Sequence, residues 1–328
     1  MLASCRRAEK TIDLEQYIFG CEGAISEEFF DIFRQKAAAG VKVRLLLDAV
    51  GSFGLYRSMG VCADLKKAGI EILFHKAILP PSLKRVLPIF LRDHRKLLVV
   101  DEKEAHIGGV IVEEDARDWR DTSVKLEGNG IVADCRDAFQ SAWEQAQRMH
   151  PIGRVRSLPD KQRFFLAGNS FRLRDKDLYR EFLRNITTAR NTVSITTPYF
   201  SLTRDLRRAL YYAKKRGAEV RILLPLRSDN FLADCLARVY YRRLLRRNIR
   251  LFQYSKSILH AKTIAIDGKW ASVGSCNFDW LSFRLNYELN VVSKDAAFAL
   301  ELENIFQEDL KDAQEVTKET SLFRGLFS

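Results

Sequence analysis

The sequence has no long apolar run. Its longest candidates, 86–91 and 97–100, stop well short of the ~18 residues that a membrane-spanning helix requires. The first residues, 1–7, also lack the apolar core of a secretory signal. These two absences argue against a transmembrane helix and against secretion, and they predict a protein of the cytosol or of the cytoplasmic membrane surface.

Closely paired cysteines are also missing. No Cys-x-x-Cys pair occurs, and the six cysteines are scattered along the chain: Cys5, Cys21, Cys62, Cys135, Cys235 and Cys276. Zinc sites usually contain such pairs, and disulfide frameworks belong to oxidising compartments. We therefore expect reduced thiols, no metal site and no cofactor.

Acidic side chains are outnumbered. The chain has 54 Lys and Arg against 42 Asp and Glu, which gives a formal net charge of +12. Such a surplus favours an anionic partner, which could be nucleic acid, a phosphorylated ligand or an acidic lipid surface. Charge alone does not choose among these three.

The chain repeats one α/β unit. In each half an apolar strand, a loop, an amphipathic helix, a glycine and a second strand follow one another, at 8–47 and at 189–224. Gly40 and Gly217 stand where a helix C-cap needs a left-handed residue. The alternation predicts an α/β fold with a mixed, mostly parallel sheet flanked by helices in each half. A Pro-containing, charged join at 150–161 divides the chain into domains 1–157 and 158–328.

The two copies differ at their starts. The second half has a candidate strand at 163–167 and a helix from about 176 to 188 before its repeat, whereas the first half has only seven residues there. The first copy therefore lacks an opening strand and part of a helix. Either that strand is dispensable or upstream sequence is missing.

Each half contains the pattern H-x-K-x-x-x-x-D. Its residues are, in chain order, His94, Lys96, Asp101, His260, Lys262 and Asp267. Residues two apart on a strand share a face, so each His and Lys are expected to point into the same pocket. A single pattern of this kind could arise by chance, but its occurrence at matching places in both copies indicates a duplicated functional site.

Each pattern is followed by a small-residue turn and then by an acid. The turns contain Gly109 in the first half and Ser275 and Asn277 in the second, and the acids are Asp121 and Glu288. Glycine allows close backbone approach, and the two polar side chains can donate to phosphate oxygens. A carboxylate bonded to one imidazole nitrogen fixes the tautomer, so the acids are candidates for orienting the histidines.

These motifs resemble the two-motif members of the phospholipase D superfamily, and most closely the bacterial cardiolipin synthases. The similarity is carried by 14–19, 93–101, 119–122, 259–263, 273–277 and 285–290, and it spans nearly the whole chain. The resemblance implies two tandem phospholipase D-like domains, related by a pseudo-two-fold axis, that share one active site.

The resemblance also implies an activity: a phosphatidyltransferase that makes cardiolipin from phosphatidylglycerol through a phosphohistidine, without a metal. A phosphodiester is anionic, so its catalyst needs cations, a nucleophile and an acid. Lys96, Lys262, Ser275 and Asn277 are expected to hold the phosphate. We assign the attack to His94 and the proton transfer to His260, although the motifs are too alike for the sequence to decide. Asp101 and Asp267 complete the catalytic motifs and are interpreted as structural ion-pairing groups.

Two features depart from the cardiolipin synthase pattern. Ile111 occupies a place usually taken by Asn, so one phosphate-facing amide is absent from the first half. Such synthases also often begin with transmembrane helices, and this sequence shows none. Both departures bear on the substrate more than on the superfamily.

Two segments are candidates for membrane contact. The basic, apolar insertion 79–92 precedes His94 and is either a lip that enters the lipid interface or a loop that covers the core. The segment 237–250 is either a basic amphipathic surface or an ordinary solvated helix face. We expect anionic phospholipid and the cytoplasmic face of the membrane as partners, no obligatory nucleic acid, and a working monomer.

Three other functions remain open. A phospholipase D-type hydrolase and a nuclease of the same superfamily would use the same chemistry. A non-catalytic binding module could keep the fold, but the intact His and Lys of both motifs argue against it.

Overall fold

The computed structural model describes residues 1–75, 91–150, 155, 163–172 and 175–317. The elements of the first half are α1 (Leu2–Arg7), β1 (Thr11–Gln16), α2 (Ala24–Ala38), β2 (Lys42–Asp48), α3 (Phe53–Arg57), α4 (Met59–Lys67), β3 (Glu71–His75), β4 (Leu97–Val100), β5 (Glu104–Gly108), a 3₁₀ turn (Glu114–Ala116), β6 (Ser123–Glu127) and α5 (Asn129–Gln147). Those of the second half are β7 (Phe164–Asn169), α6 (Asp177–Thr188), β8 (Thr192–Thr196), α7 (Arg204–Lys215), β9 (Glu219–Pro225), α8 (Phe231–Leu245), β10 (Arg250–Tyr254), β11 (Thr263–Ile266), β12 (Trp270–Gly274), α9 (Trp280–Arg284), β13 (Glu288–Ser293), α10 (Ala296–Lys311) and β14 (Ala313–Glu315).

Each half forms one mixed sheet flanked by helices, as expected. Within the described ranges the strand orders are β3-β2-β1-β4-β5-β6 and β14-β10-β9-β8-β11-β12-β13-β7. Parallel pairing is confined to β1–β2–β3 and β8–β9–β10, and the other neighbours are antiparallel. The expectation of mostly parallel sheets is therefore wrong. The reason is that short turns join β4 to β5 and β11 to β12, and a short turn can connect only antiparallel strands.

The repeated helix–glycine–strand units are confirmed. Gly40 and Gly217 adopt φ angles of 85° and 98° just after α2 and α7, so each ends its helix in the left-handed region that favours glycine. The strands that follow, β2 and β9, are buried along almost their whole length. These strands are parallel to their neighbours β1 and β8, so the carboxyl ends of each pair lie at the same edge of the sheet.

The unequal starts of the copies are also confirmed. β7 pairs with β13 at the edge of the second sheet, while in the described part of the first half β6 is the edge strand. α1 is a helix of six residues, half the length of the twelve-residue α6 that precedes β8. The first half therefore enters its sheet at β1.

The two halves share one apolar core. A single cluster combines Leu97 and Ile107 of the first half with Leu166, Leu289 and Val291 of the second, all of them fully buried or nearly so. The sheets therefore pack against each other through β4 and β5 of the first half and β7 and β13 of the second. The predicted boundary between 157 and 158, and residues 79–90 of the candidate lip, lie outside the described residues. Across the described ranges, no helix is long and apolar enough to cross a membrane.

Candidate active site

Both histidine–lysine pairs lie just before the strand that pairs with the first strand of each repeat. β4 is antiparallel to β1, with Leu97 opposite Glu15, and β11 is antiparallel to β8, with Thr263 opposite Thr196. The segments that enter β4 and β11 therefore lie at the carboxyl ends of β1 and β8. The four side chains, His94, Lys96, His260 and Lys262, are all buried there.

Each histidine is held by the acid of the other half. Nδ1 of His94 lies 3.1 Å from Oε2 of Glu288, and Nδ1 of His260 lies 2.6 Å from Oδ2 of Asp121. The two carboxylates therefore orient the imidazoles, with the pairing crossed between the halves. With Nδ1 engaged, Nε2 is the nitrogen of each ring that is left to react.

Main-chain hydrogen bonds repeat the crossed arrangement. The His94 amide donates to the carbonyl of Tyr287, and the His260 amide donates to the carbonyl of Arg120. In both cases the accepting residue immediately precedes the orienting acid. Backbone and side chain thus lock each histidine to the opposite half by two neighbouring contacts, which brings the two motifs into one site.

The lysines bond to the main chain of their own motifs. Nζ of Lys96 donates to the carbonyl of His94 at 2.9 Å, and Nζ of Lys262 donates to the carbonyl of His260. Burial lowers the pKa of Lys96 to about 7, with help from the charge of Lys262. Burial likewise lowers the pKa of Lys262 to about 8, although Asp121 and Glu288 oppose the change. Two crowded cations therefore line a site that an anion would stabilise.

The histidines are neutral near pH 7 in the unliganded protein. Burial lowers the pKa of His94 despite the neighbouring Glu288. Burial and Lys262 lower the pKa of His260 to about 4, although Asp121 opposes them. The pKa of Asp121 is lowered because Lys262 and His260 outweigh the opposing effect of its burial. Asp121 thus stays ionised while the imidazoles do not carry charge.

The small-residue turns support the acids. A Cβ on Gly109 would lie 2.2 Å from Oδ1 of Asp121, so only glycine leaves room for that carboxylate. At the matching place in the second half, the Ser275 hydroxyl donates to Oε2 of Glu288 at 2.5 Å. The Ser275 hydroxyl therefore supports the acid. It is not free to donate to a phosphate in this structure, which differs from the expectation drawn from the sequence.

Asn277 remains the candidate phosphate contact of the second turn. It is buried, and its side-chain NH2 is the group that can donate to a phosphate oxygen. Its counterpart in the first half, Ile111, is an apolar residue that is also buried. The two turns are therefore chemically unequal, as the sequence predicts.

Asp101 and Asp267 lie away from the histidines, at the far ends of β4 and β11. Asp101 accepts hydrogen bonds from the amides of Glu9, Lys10 and Thr11, and Asp267 accepts from those of Arg190, Asn191 and Thr192. Both aspartates have a φ of 53°. Asp101 anchors the turn after β4 to the start of β1, and Asp267 anchors the turn after β11 to the start of β8. Both act through main-chain amides rather than through the ion pairs we expected.

Aromatic residues also contact the histidines of the site, and the spacing of the sequence motifs did not predict them. The Tyr17 ring meets His94 edge-on at 4.8 Å, and Trp119 meets His260 at 5.1 Å. Tyr199 lies 6.4 Å from His260 and donates its hydroxyl to Asp229 at 2.6 Å. The only available signal was that Tyr17 and Trp119 fall within the stretches that resemble the family.

An ionic network underlies the first motif and breaks the symmetry of the site. Arg95 pairs with Asp93 and Glu15, and all three are buried. Burial raises the pKa of Glu15 well above its ordinary value although Arg95 opposes it. In the second motif, Leu259 and Ala261 occupy the places of Asp93 and Arg95. The two histidines therefore have different sequence neighbours: charged residues flank His94 and apolar residues flank His260.

Fold and site together define an enzyme of the phospholipase D superfamily. The family model described as "Cardiolipin synthase, PLD-like domain" matches residues 1–143 and 182–310, and the chain belongs to this family.

Curated relatives agree with this assignment. The chain is 33% identical to "Probable cardiolipin synthase YwiE" of Bacillus subtilis (strain 168), over 98% of this chain and 65% of that protein. It is 30% identical to "Major cardiolipin synthase ClsA" of the same strain, over 100% of this chain and 69% of that protein. The chain thus spans about two thirds of the length of these relatives.

Solved structures share the fold. A phosphatidylserine synthase from Haemophilus influenzae Rd KW20 matches with a TM-score of 0.70 at 12% identity, covering 96% of this chain and 84% of that one. A polyphosphate kinase from Porphyromonas gingivalis matches with a TM-score of 0.66 at 15% identity, covering 97% of this chain and 46% of that one. At these identities the likeness concerns the fold alone.

Proposed function

We propose that this protein makes cardiolipin by transferring the phosphatidyl group of one phosphatidylglycerol to the hydroxyl of a second, through a phosphohistidine intermediate. The observation that carries the proposal is the pair of neutral histidines, each oriented at Nδ1 by an acid of the other half, beside two buried lysines. The cardiolipin synthases among its relatives support the choice of lipid.

In the first step, Nε2 of His94 attacks phosphorus and the bond to the glycerol oxygen breaks. His260, protonated at Nε2, gives its proton to the departing alkoxide. The anionic phosphodiester offsets the lysine charges that keep the pKa of His260 low, and Asp121 stabilises the imidazolium.

In the second step, the hydroxyl of another phosphatidylglycerol gives its proton to His260. Its oxygen attacks phosphorus, and the P–N bond to His94 breaks. One phosphodiester replaces another, so no nucleotide is consumed. Lys96, Lys262 and Asn277 surround the phosphate and stabilise the charge that develops on its oxygens.

The direct experiment supplies phosphatidylglycerol vesicles to the pure protein. Cardiolipin and free glycerol should form together, and high glycerol should suppress cardiolipin because it reverses the exchange. H94A and H260A should each lose turnover, whereas H150A, at an exposed histidine, should behave like the wild type. Phosphatidic acid as the sole lipid product would identify a hydrolase, and cleavage of added DNA with no lipid product would identify a nuclease.

The choice of nucleophile needs its own experiment. A phosphatidyl ester of p-nitrophenol has a leaving group that needs no proton, so H260A should still release one equivalent of nitrophenol per enzyme in a burst. H94A should release none. The opposite result would assign the attack to His260.

We further propose that the protein works as a monomer at the cytoplasmic face of the membrane, held there by anionic phospholipid. The lipid nature of the proposed substrate and the net charge of +12 support this placement. Equilibrium sedimentation of the active protein measures its oligomeric state. The same measurement with anionic vesicles shows whether the lipid holds it.

A further inference from the structure

Helix α8 carries exposed apolar side chains over its first three turns. Phe231 and Leu232 are 69% and 72% exposed, and Leu236 and Val239 are 56% and 63% exposed. Their spacing places them on one arc of the helix. An exposed apolar cluster of this size marks a surface that contacts something other than water.

The same arc turns basic towards the end of the helix. Arg242, Arg243 and Arg246 are exposed and continue the face that Phe231 and Leu236 begin. Between them, Tyr241 and Leu244 point the opposite way and are buried in the core of the second half. The exposed face of α8 is therefore apolar at one end and cationic at the other.

The apolar end of α8 lies beside the candidate active site. Asp229, two residues before the helix begins, accepts the hydrogen bond from Tyr199, whose ring lies against His260. Trp280 follows the Asn277 turn and is 50% exposed, and Phe53 follows the loop after β2 and is 52% exposed. Apolar side chains thus project from three segments that leave the site.

We propose that the exposed face of α8 seats the protein on an anionic lipid surface, with its apolar turns in the interface and its arginines against the headgroup phosphates. An anionic bilayer offers both an apolar interior and negative charge, and it matches both ends of this face. A nucleic acid would leave the apolar end without a partner. The inference rests on the proposed function, because a lipid substrate must reach the site from a membrane.

The test measures binding separately from chemistry. In flotation with vesicles of phosphatidylglycerol and phosphatidylcholine, F231S/L232S/L236S should bind at least about tenfold more weakly than the wild type, since three apolar side chains no longer enter the interface. R242E/R243E/R246E should lose the preference for phosphatidylglycerol over pure phosphatidylcholine, also by about tenfold. M149S and L300S also replace exposed apolar residues, Leu300 beside the turn at Gly268, and should bind like the wild type.

Turnover of a short-chain phosphatidylglycerol below its micellar concentration separates docking from catalysis. The α8 variants should keep near-normal rates on this monomeric substrate and lose rate only on vesicles. Wild-type vesicle binding by both α8 variants would overturn the proposal, and so would a change in oligomeric state with vesicle binding intact, which would make this face a protein interface. If the α8 variants lose binding and no variant or wild type forms cardiolipin, the docking surface stands and the proposed function fails.

Discussion

At the scale of single residues, the crossed acids decide which nitrogen of each imidazole can react. Glu288 engages Nδ1 of His94 and Asp121 engages Nδ1 of His260, so a change in either acid should affect the histidine of the opposite half. The chain has only five histidines, which makes their ring nitrogens separable by NMR. This allows the crossed arrangement to be tested without turnover.

With ring-¹⁵N-labelled histidine, D121N should change the tautomer signal of His260 and leave that of His94 as in the wild type. E288Q should do the reverse, because an amide cannot fix the N–H at Nδ1 as a carboxylate does. H106A, at a histidine whose ring contacts Ser4, assigns a further resonance and serves as the control. A shift of the same-half histidine in either variant would contradict the crossed pairing.

The lysines should steepen the alkaline fall of the reaction. His260 must carry a proton, and its pKa of about 4 in the free protein already makes kcat/KM decline slowly as the pH rises. The charged lysines hold the phosphate, so the decline should become steeper through about 7 to 8, the pKa range of Lys96 and Lys262 in the free protein. On the acid side, His94 must be neutral to attack. Because its pKa is lowered, the fall of kcat/KM at acid pH should occur below the pH at which an ordinary histidine titrates.

This profile is measured with a monomeric short-chain substrate between pH 4 and 10. At saturating substrate the alkaline limb should move to higher pH, because the bound anion stabilises the lysine charges. A kcat/KM that stays constant from pH 5 to 9, with chemistry rate-limiting, would exclude these titrations from the mechanism.

At the residue scale, spacing and repetition in the sequence predicted that the histidines, the lysines and both acids belong to one site. The structure brings these side chains together, and their catalytic roles stay predictions. The sequence could not predict the crossing, since either pairing satisfies the same spacing. The support role of Ser275 was also hidden, because a hydroxyl next to a glycine can face substrate or a neighbouring acid, and only packing decides.

At the scale of elements, one aspartate holds the turn after β4 and another holds the turn after β11. Each accepts three main-chain hydrogen bonds. Asp101 and Asp267 do this in the two halves with the same φ and the same set of amides. Aspartate tolerates this left-handed conformation better than most residues, and its carboxylate satisfies the amides at the start of β1 or β8.

D101A and D267A should each lower the free energy of unfolding by about 2 kcal/mol, because three amides lose a charged acceptor. D101N and D267N, which keep one acceptor oxygen and the turn preference, should lose less. Urea unfolding measures the difference, and kcat of the folded variants at low temperature should stay near the wild-type value. A large loss of kcat in stably folded D101A would instead assign this aspartate to catalysis.

The repeated strand–helix–glycine–strand units were predictable from the sequence, but strand direction was not. Apolar runs after Gly40 and Gly217 identify β2 and β9 because both are buried strands. The hairpins after β4 and β11 were missed as a source of antiparallel pairing, because the alternation of strand and helix that suggests parallel sheets ends where these hairpins begin.

At the scale of the whole molecule, the shared core makes the halves one thermodynamic unit. Leu97 and Ile107 pack in the same cluster as Leu289 and Val291, across the boundary of the repeat. A half that lost its partner would expose these side chains, at a cost of about 25 cal/mol for each Å² of apolar surface.

The protein should therefore unfold in one cooperative transition, with equal calorimetric and van't Hoff enthalpies. L289A should lower the free energy of unfolding by about 2–5 kcal/mol, and the midpoint temperature of that single transition should fall with it. V239A, at an exposed position of α8, should leave it unchanged. Two resolved transitions, of which L289A moves only one, would show that the halves are independent.

The crossed contacts also have a consequence for synthesis of the chain. His94 and Glu288 are 194 residues apart, and Asp121 and His260 are 139 residues apart. The ribosome makes the first half, with His94 and Lys96, long before it makes Glu288, the acid that orients His94. A nascent chain that ends after β6 therefore holds no oriented imidazole, and the proposed phosphodiester chemistry can begin only after translation has passed residue 288.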